Sequence, residues 1–156
     1  MPDTIATDNP FTADEQRTLL ALVGAVIPAS AEFGTPGADD PAIAADILAT
    51  ARPYHATVAI ALDQIESTAA KRYDAAYSDL DASTRAGIAS DLSRSRFAGV
   101  GTLVTITAQC YYRDDRVMRS LGMAPRSPYP DGFDIPQGDW SLLEPVRQRG
   151  RIYKEV

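Results

Sequence analysis

The chain has 156 residues, 45% of them hydrophobic and 23% charged, with a formal net charge of −6. That length holds one domain with a real core, and a single Cys and a single His exclude a disulfide framework, a Cys/His zinc site and a c-type haem attachment. No uninterrupted apolar run of about 18 residues is present, so no bilayer span is expected, and a pI of about 4.7 argues against a general affinity for nucleic-acid phosphates.

The opening MPDTIATDNP carries two Asp, no base and no apolar run, so neither a Sec nor a twin-arginine leader is expected. Thr12 followed three residues later by Glu15 is a capping box, with Phe11 before it as a hydrophobic staple. Leu19, Leu22, Val23 and Val26 then recur at helical spacing, and Leu20 and Ile27 widen the stripe, which predicts a helix buried on more than one side. Pro28 ends it. Residues 29–40 contain Gly34, Pro36 and Gly37 and read as an ordered surface loop. Asp40-Pro41 restarts a helix, with Asp as N-cap and Pro at the first helical position. Pro53 ends that helix and serves as the first residue of the next, whose face carries Val58, Leu62, Ile65 and Ala69. Asp81 caps a shorter helix bearing Ile88 and Leu92.

The run from Arg96 to Arg113 places Phe97, Val100, Val104, Ala108 and Tyr111 on one stripe, with Leu103, Ile106 and Cys110 on another side. Its β-branched stretch from Gly99 to Thr107 has strand character. Its length and the absence of a second strand-like run favour a central buried helix. The expected fold is therefore all-α: a helical domain of five to six helices over residues 1–122, followed by a tail over 123–156. Five of the 11 prolines lie between Pro125 and Pro145, among Tyr129, Phe133, Trp140 and Tyr153. That is too aromatic for a flexible linker, and it suits an extended segment that packs on a partner or wraps its own domain.

Charge is unevenly spread. Residues 1–95 hold six Lys/Arg against 14 Asp/Glu, a balance of −8, while residues 96–156 hold nine against seven, a balance of +2. A slightly basic tail on an acidic chain suits docking to an acidic surface, although a solvated face gives the same count.

Catalytic motifs are missing. Gly99-Val-Gly101 lacks a third glycine and a preceding strand, so it reads as close helix packing rather than a dinucleotide loop. Asp79 and Asp81 lack the other ligands and the glycine of a calcium loop, and Asp114-Asp115 reads as a helix end and cap. His55 reads as a surface residue, and Cys110 as a small hydrophobe on an apolar face. No Ser or Lys stands in a nucleophile motif. No catalytic, cofactor or metal residue is assigned.

Several segments together resemble the gluconate 2-dehydrogenase subunit 3 family. These are Phe11-Thr12 with Glu15, Ile27-Pro28, Pro36-Gly37-Ala38, the run from Tyr111 to Val117, Leu121-Gly122, Pro128, Pro130 and Gly132, and Gly138-Asp139-Trp140-Ser141-Leu142-Leu143. Members of that family are small subunits of bacterial FAD-dependent sugar and alcohol dehydrogenases whose large subunit has the glucose-methanol-choline (GMC) fold. The resemblance implies a subunit without flavin or haem that clamps, stabilises or helps mature the flavoprotein, with FAD in that partner. Many relatives carry a twin-arginine leader. Its absence here implies a cytoplasmic complex, or export to the periplasm on a signal-bearing partner.

The expected interface is Tyr111, Tyr112, Arg113, Arg116, Tyr129, Phe133, Trp140 and Tyr153, because interface cores favour aromatic and arginine anchors. Tyr111 and Tyr112 point about 100° apart on a helix, so at most one belongs to the core. The alternative is a stand-alone α-helical enzyme or small-ligand protein using the helix end from Tyr111 to Asp115. A maturation chaperone that leaves the finished complex is a third reading.

Overall fold

The computed structural model describes residues 9–94, 98–127, 129–152 and 154. Phe97, Pro128 and Tyr153 lie outside the described residues.

Thr12 opens the first helix, α1 (Ala13–Val26), through both arms of a capping box. The Glu15 N–H donates to Thr12 Oγ1 at 3.2 Å, and the Thr12 N–H donates to Glu15 Oε2 at 2.7 Å. The staple takes a different form from the expected one. The position that Phe11 would meet on the helix is Gln16, whose side-chain amide donates to the Phe11 carbonyl at 2.8 Å. The buried Phe11 ring instead stands edge-on to His55, with centroids 4.8 Å apart. The chain leaves α1 at Ile27-Pro28 and turns through Ser30 and Thr35, whose backbones exchange two 3.0 Å hydrogen bonds. Asp40 Oδ1 then caps α2 (Pro41–Ala51) by accepting from the Ala42 N–H at 3.1 Å.

Pro53 does not begin the next helix. It sits in a 3₁₀ turn, Arg52–Tyr54, and α3 runs from His55 to Tyr73. Proline has no N–H for the ordinary helical bond, so the junction tightens instead, and the His55 N–H donates to the Arg52 carbonyl. Asp74 closes α3 in the left-handed conformation (φ 53°). Asp81 caps α4 (Ala82–Arg94) with four hydrogen bonds, two to backbone N–H groups and two to the hydroxyls of Ser83 and Thr84.

The segment with strand character is helix α5 (Ala98–Arg113), followed by α6 (Asp115–Ser120). Among the described residues there is no strand, only the isolated bridge between Ser30 and Thr35. The fold is all-α. The central position of α5 follows from its packing against α3 and α2, while α1 packs on α4 and α3. Its buried seam is Val100, Leu103, Ile106, Thr107, Cys110 and Tyr111. This corrects the expected stripe: Val104 and Ala108 are only half-buried, because neighbours on two sides rotate the seam toward Leu103 and Ile106. Thr107 is tolerated inside because its hydroxyl donates to the Leu103 carbonyl at 2.8 Å. Leu19, Leu22, Val23, Ile43, Ile47, Val58, Leu62, Ile65 and Tyr77 complete one core.

The chain divides into two compact units, residues 1–125 and 126–156, three residues past the boundary expected at Gly122. The first contains α1 to α6. The second contains a 3₁₀ turn, Trp140–Leu143, that continues into α7 (Glu144–Gln148). No described residue of the second unit is buried.

Candidate functional site

The C-terminal end of α5 and the start of α6 bring Tyr111, Tyr112, Arg113, Asp114 and Arg116 to one corner of the helical unit. Asp114 makes that corner possible: its side chain accepts from the N–H groups of Arg116 and Val117, so the chain can end one helix and start another at once.

Tyr111 faces inward. It is buried, and its hydroxyl donates to the Pro36 carbonyl at 3.1 Å. This removes it from the expected docking residues, since its ring is already covered and its hydroxyl satisfied within the unit. Tyr112, edge-on to Tyr111 with centroids 5.2 Å apart, is 58% exposed. It is the member of the pair left without a core to enter.

The two arginines are engaged as well. Arg113 grips Asp46 with two nitrogens, at 2.7 and 2.5 Å, and donates to Thr50 Oγ1 at 3.0 Å. Arg116 grips Asp40 at 3.0 and 2.7 Å and also reaches both oxygens of Asp114, at 3.1 and 3.0 Å. Such bidentate pairs fix geometry as well as charge. Together they tie α5 and α6 to α2. Hydrogen bonds from Arg116 hold the carboxyls of Asp40 and Asp114 below the usual carboxylate range, and hydrogen bonds from Arg113 do the same for Asp46. Both guanidiniums are stabilised in return. The two arginines keep exposed flanks, with side-chain exposures of 55% and 47%, while their charges are paired with carboxylates inside the unit.

The alternative use of this corner, as a ligand site built from Tyr112, Arg113 and Asp115, finds its charges already paired. Arg113 is held by Asp46, and Asp115 accepts from Arg119 at 3.0 Å one helical turn on. Cys110, on the buried side, donates its thiol to Thr50 Oγ1 at 3.5 Å, and burial pushes its pKa up, which disfavours the nucleophilic thiolate. His55 is half-buried, with Nε2 3.5 Å from Glu15. Burial raises the Glu15 pKa, but the Thr12 N–H and His55 outweigh it and leave the carboxyl below its ordinary value. Among the described residues no group of three or more His, Cys, Asp or Glu is placed to hold a metal ion.

Two features escaped the sequence reading. Glu66 bridges the Thr18 hydroxyl and the Tyr77 N–H, the latter at 3.1 Å, beside a cleft of about 430 Å³ between α1 and α3. No local pattern announces a bond between residues 48 positions apart. The second is the extent of the second unit's apolar surface. Tyr129 (84% exposed), Phe133 (45%) and Trp140 (65%) stand where their aromatic character suggested, but Ile135, Leu142, Leu143, Val146 and Ile152 are exposed with them. The Arg126 guanidinium lies 4.5 Å over the Phe133 ring, and the same side chain donates to the Gly132 carbonyl at 2.6 Å, so this stretch has local order of its own.

No protein-family model, no curated protein and no solved structure matches this chain.

Proposed function

We propose that this chain is a non-catalytic small subunit that binds and stabilises, or helps mature, an FAD-dependent dehydrogenase large subunit of the GMC fold acting on sugars or alcohols. The observation that carries the reading is the second unit: three large rings and five aliphatic side chains along a proline-punctuated segment, none of them buried. Each aromatic ring brings 150–250 Å² of surface, roughly 1.5–3 kcal/mol when fully covered. A segment with that much apolar surface and no buried side chain among its described residues suits a partner that covers it. Tyr112 extends the same logic to the helical unit, while the arginine clamps fix the scaffold that presents it. The flavin and the chemistry belong to the partner in this reading, and the family resemblance names the partner's class.

The test is co-expression with a GMC-type large subunit from the same genome. The intact chain is expected to co-purify with it. A chain ending at Pro125 is expected to keep its helical circular dichroism and cooperative unfolding yet lose the large subunit. Retention of the large subunit by the shortened chain overturns the second unit as the clamp, and failure of the intact chain to bind overturns the function.

A further inference from the structure

Between Arg126 at its start and Glu155 near its end, the second unit is ordered in charge as well as rich in rings. From Asp131 to Glu144 it carries four carboxylates (Asp131, Asp134, Asp139, Glu144) and no base. From Arg147 to Lys154 it carries four cations (Arg147, Arg149, Arg151, Lys154) and no carboxylate. All eight residues are exposed. The two blocks meet inside the helical stretch, where Arg147 lies 3.8 Å from Glu144. Asp139 starts that stretch by accepting from the N–H and hydroxyl of Ser141, at 2.9 and 2.6 Å. In the 3₁₀ turn, residues three apart eclipse, so Trp140 and Leu143 share a side, and Val146 follows three positions later. An apolar ridge therefore sits between an acidic arm and a basic arm.

We infer that this segment docks in one direction only, with Trp140, Leu143 and Val146 in an apolar groove of the partner whose rim is basic beside Asp131 and Asp134 and acidic beside Arg149, Arg151 and Lys154. The inference rests on the proposed function and adds the chemistry of the partner's surface to it. An apolar ridge alone allows sliding and reversal. Opposite charges at the two ends oppose both, because a reversed segment meets like charge at each arm. The same ordering favours a protein groove over an anionic lipid surface: four carboxylates on the same short segment are repelled by lipid head groups, which reward sustained positive charge. The helical stretch matches the mode in which a short amphipathic helix lays its apolar side into a groove.

The experiment titrates full-length protein against the GMC-type large subunit at low and high ionic strength. The decisive variant is D131K/D134K/R151E/K154E, which reverses the charge at the two outer ends of the segment, leaves the Glu144–Arg147 pair in place and keeps the net charge. A folding check by circular dichroism and urea unfolding accompanies it. At low salt it is expected to bind about tenfold or more weakly than the native chain, and the gap is expected to shrink toward twofold at roughly 0.5 M salt. W140A is expected to weaken binding at both salts. Binding of the inverted variant within about twofold of native at low salt overturns the directional docking while leaving the parent function standing. Binding of the native chain to phosphatidylglycerol vesicles as tightly as to the large subunit also overturns it. Failure of the native chain to bind the large subunit removes the parent reading as well.

Discussion

Gly99 and Gly101 look interchangeable as letters, and one added methyl group separates them. A Cβ on Gly99 would stand 2.4 Å from the Thr57 carbonyl oxygen and 2.8 Å from Ala61 Cβ, both on α3, whereas a Cβ on Gly101 meets nothing within 4 Å. Gly99→Ala is therefore expected to lower stability by about 1–3 kcal/mol through overpacking. Gly101→Ala is expected to raise it by roughly 0.5–1 kcal/mol by removing glycine's entropy in a helix. Urea midpoints of the two variants check the opposite signs. The expectation of close helix packing at this pair holds for Gly99 alone, since only its face turns toward α3. Tyr77 shows the same dependence on placement. Its ring is fully buried, its hydroxyl donates to the Arg85 carbonyl at 3.1 Å, and burial pushes its pKa up to about 12. The fold favours the neutral phenol, so this contribution is intact below pH 10 and is lost as pH rises from 10 through about 12. Tyr77→Phe is expected to cost about 1 kcal/mol at neutral pH and to flatten the alkaline limb of a stability–pH profile.

At the scale of elements, caps were legible and clamps were not. Thr12, Asp40 and Asp81 cap α1, α2 and α4 as their spacing suggests, because a cap is decided by residues two or three positions away. Thr12→Ala is expected to cost about 1 kcal/mol, read from the urea midpoint. The clamps that hold α5 and α6 to α2 join Arg113 to Asp46 and Arg116 to Asp40, across 67 and 76 positions. Because folding lowers the pKa values of Asp40, Asp46 and Asp114, their contribution is present above the ordinary carboxylate range and disappears as pH falls through the lowered values. Arg116→Ala removes the cause of two of those shifts. Its stability is expected to fall less steeply than the native chain's between pH 5 and pH 2, measured by urea unfolding at each pH. The seam of α5 was half legible: a helix of the right length was evident, but which side became the core depended on where α2 and α3 lie.

For the molecule as a whole, composition separates a helical stretch from a proline- and ring-rich one after Gly122, and the chain divides into compact units after Pro125. With no buried side chain in the described part of the second unit, its backbone is the accessible target for a protease. Limited trypsin digestion is expected to cleave after Arg147, Arg149 and Arg151 before it cleaves after Arg52 or Arg113, which mass spectrometry of early time points resolves. Bound large subunit is expected to slow those early cuts. Cleavage at the helical unit first would mean that the segment's exposed side chains do not make its backbone accessible.

The order of residues alone determined the helical class, the caps and the aromatic, proline-rich character of the C-terminal segment, because these depend on periodicity, near neighbours and composition. Tertiary structure decided which tyrosine of the pair is core, whether the arginines are free, and which glycine touches another helix. Tyr111 is inside because the Pro36 carbonyl lies where its hydroxyl reaches, and Arg113 and Arg116 are held because Asp46 and Asp40 stand opposite. Such choices depend on groups distant in sequence that only packing brings to within 3 Å or so of one another, and no local pattern encodes them.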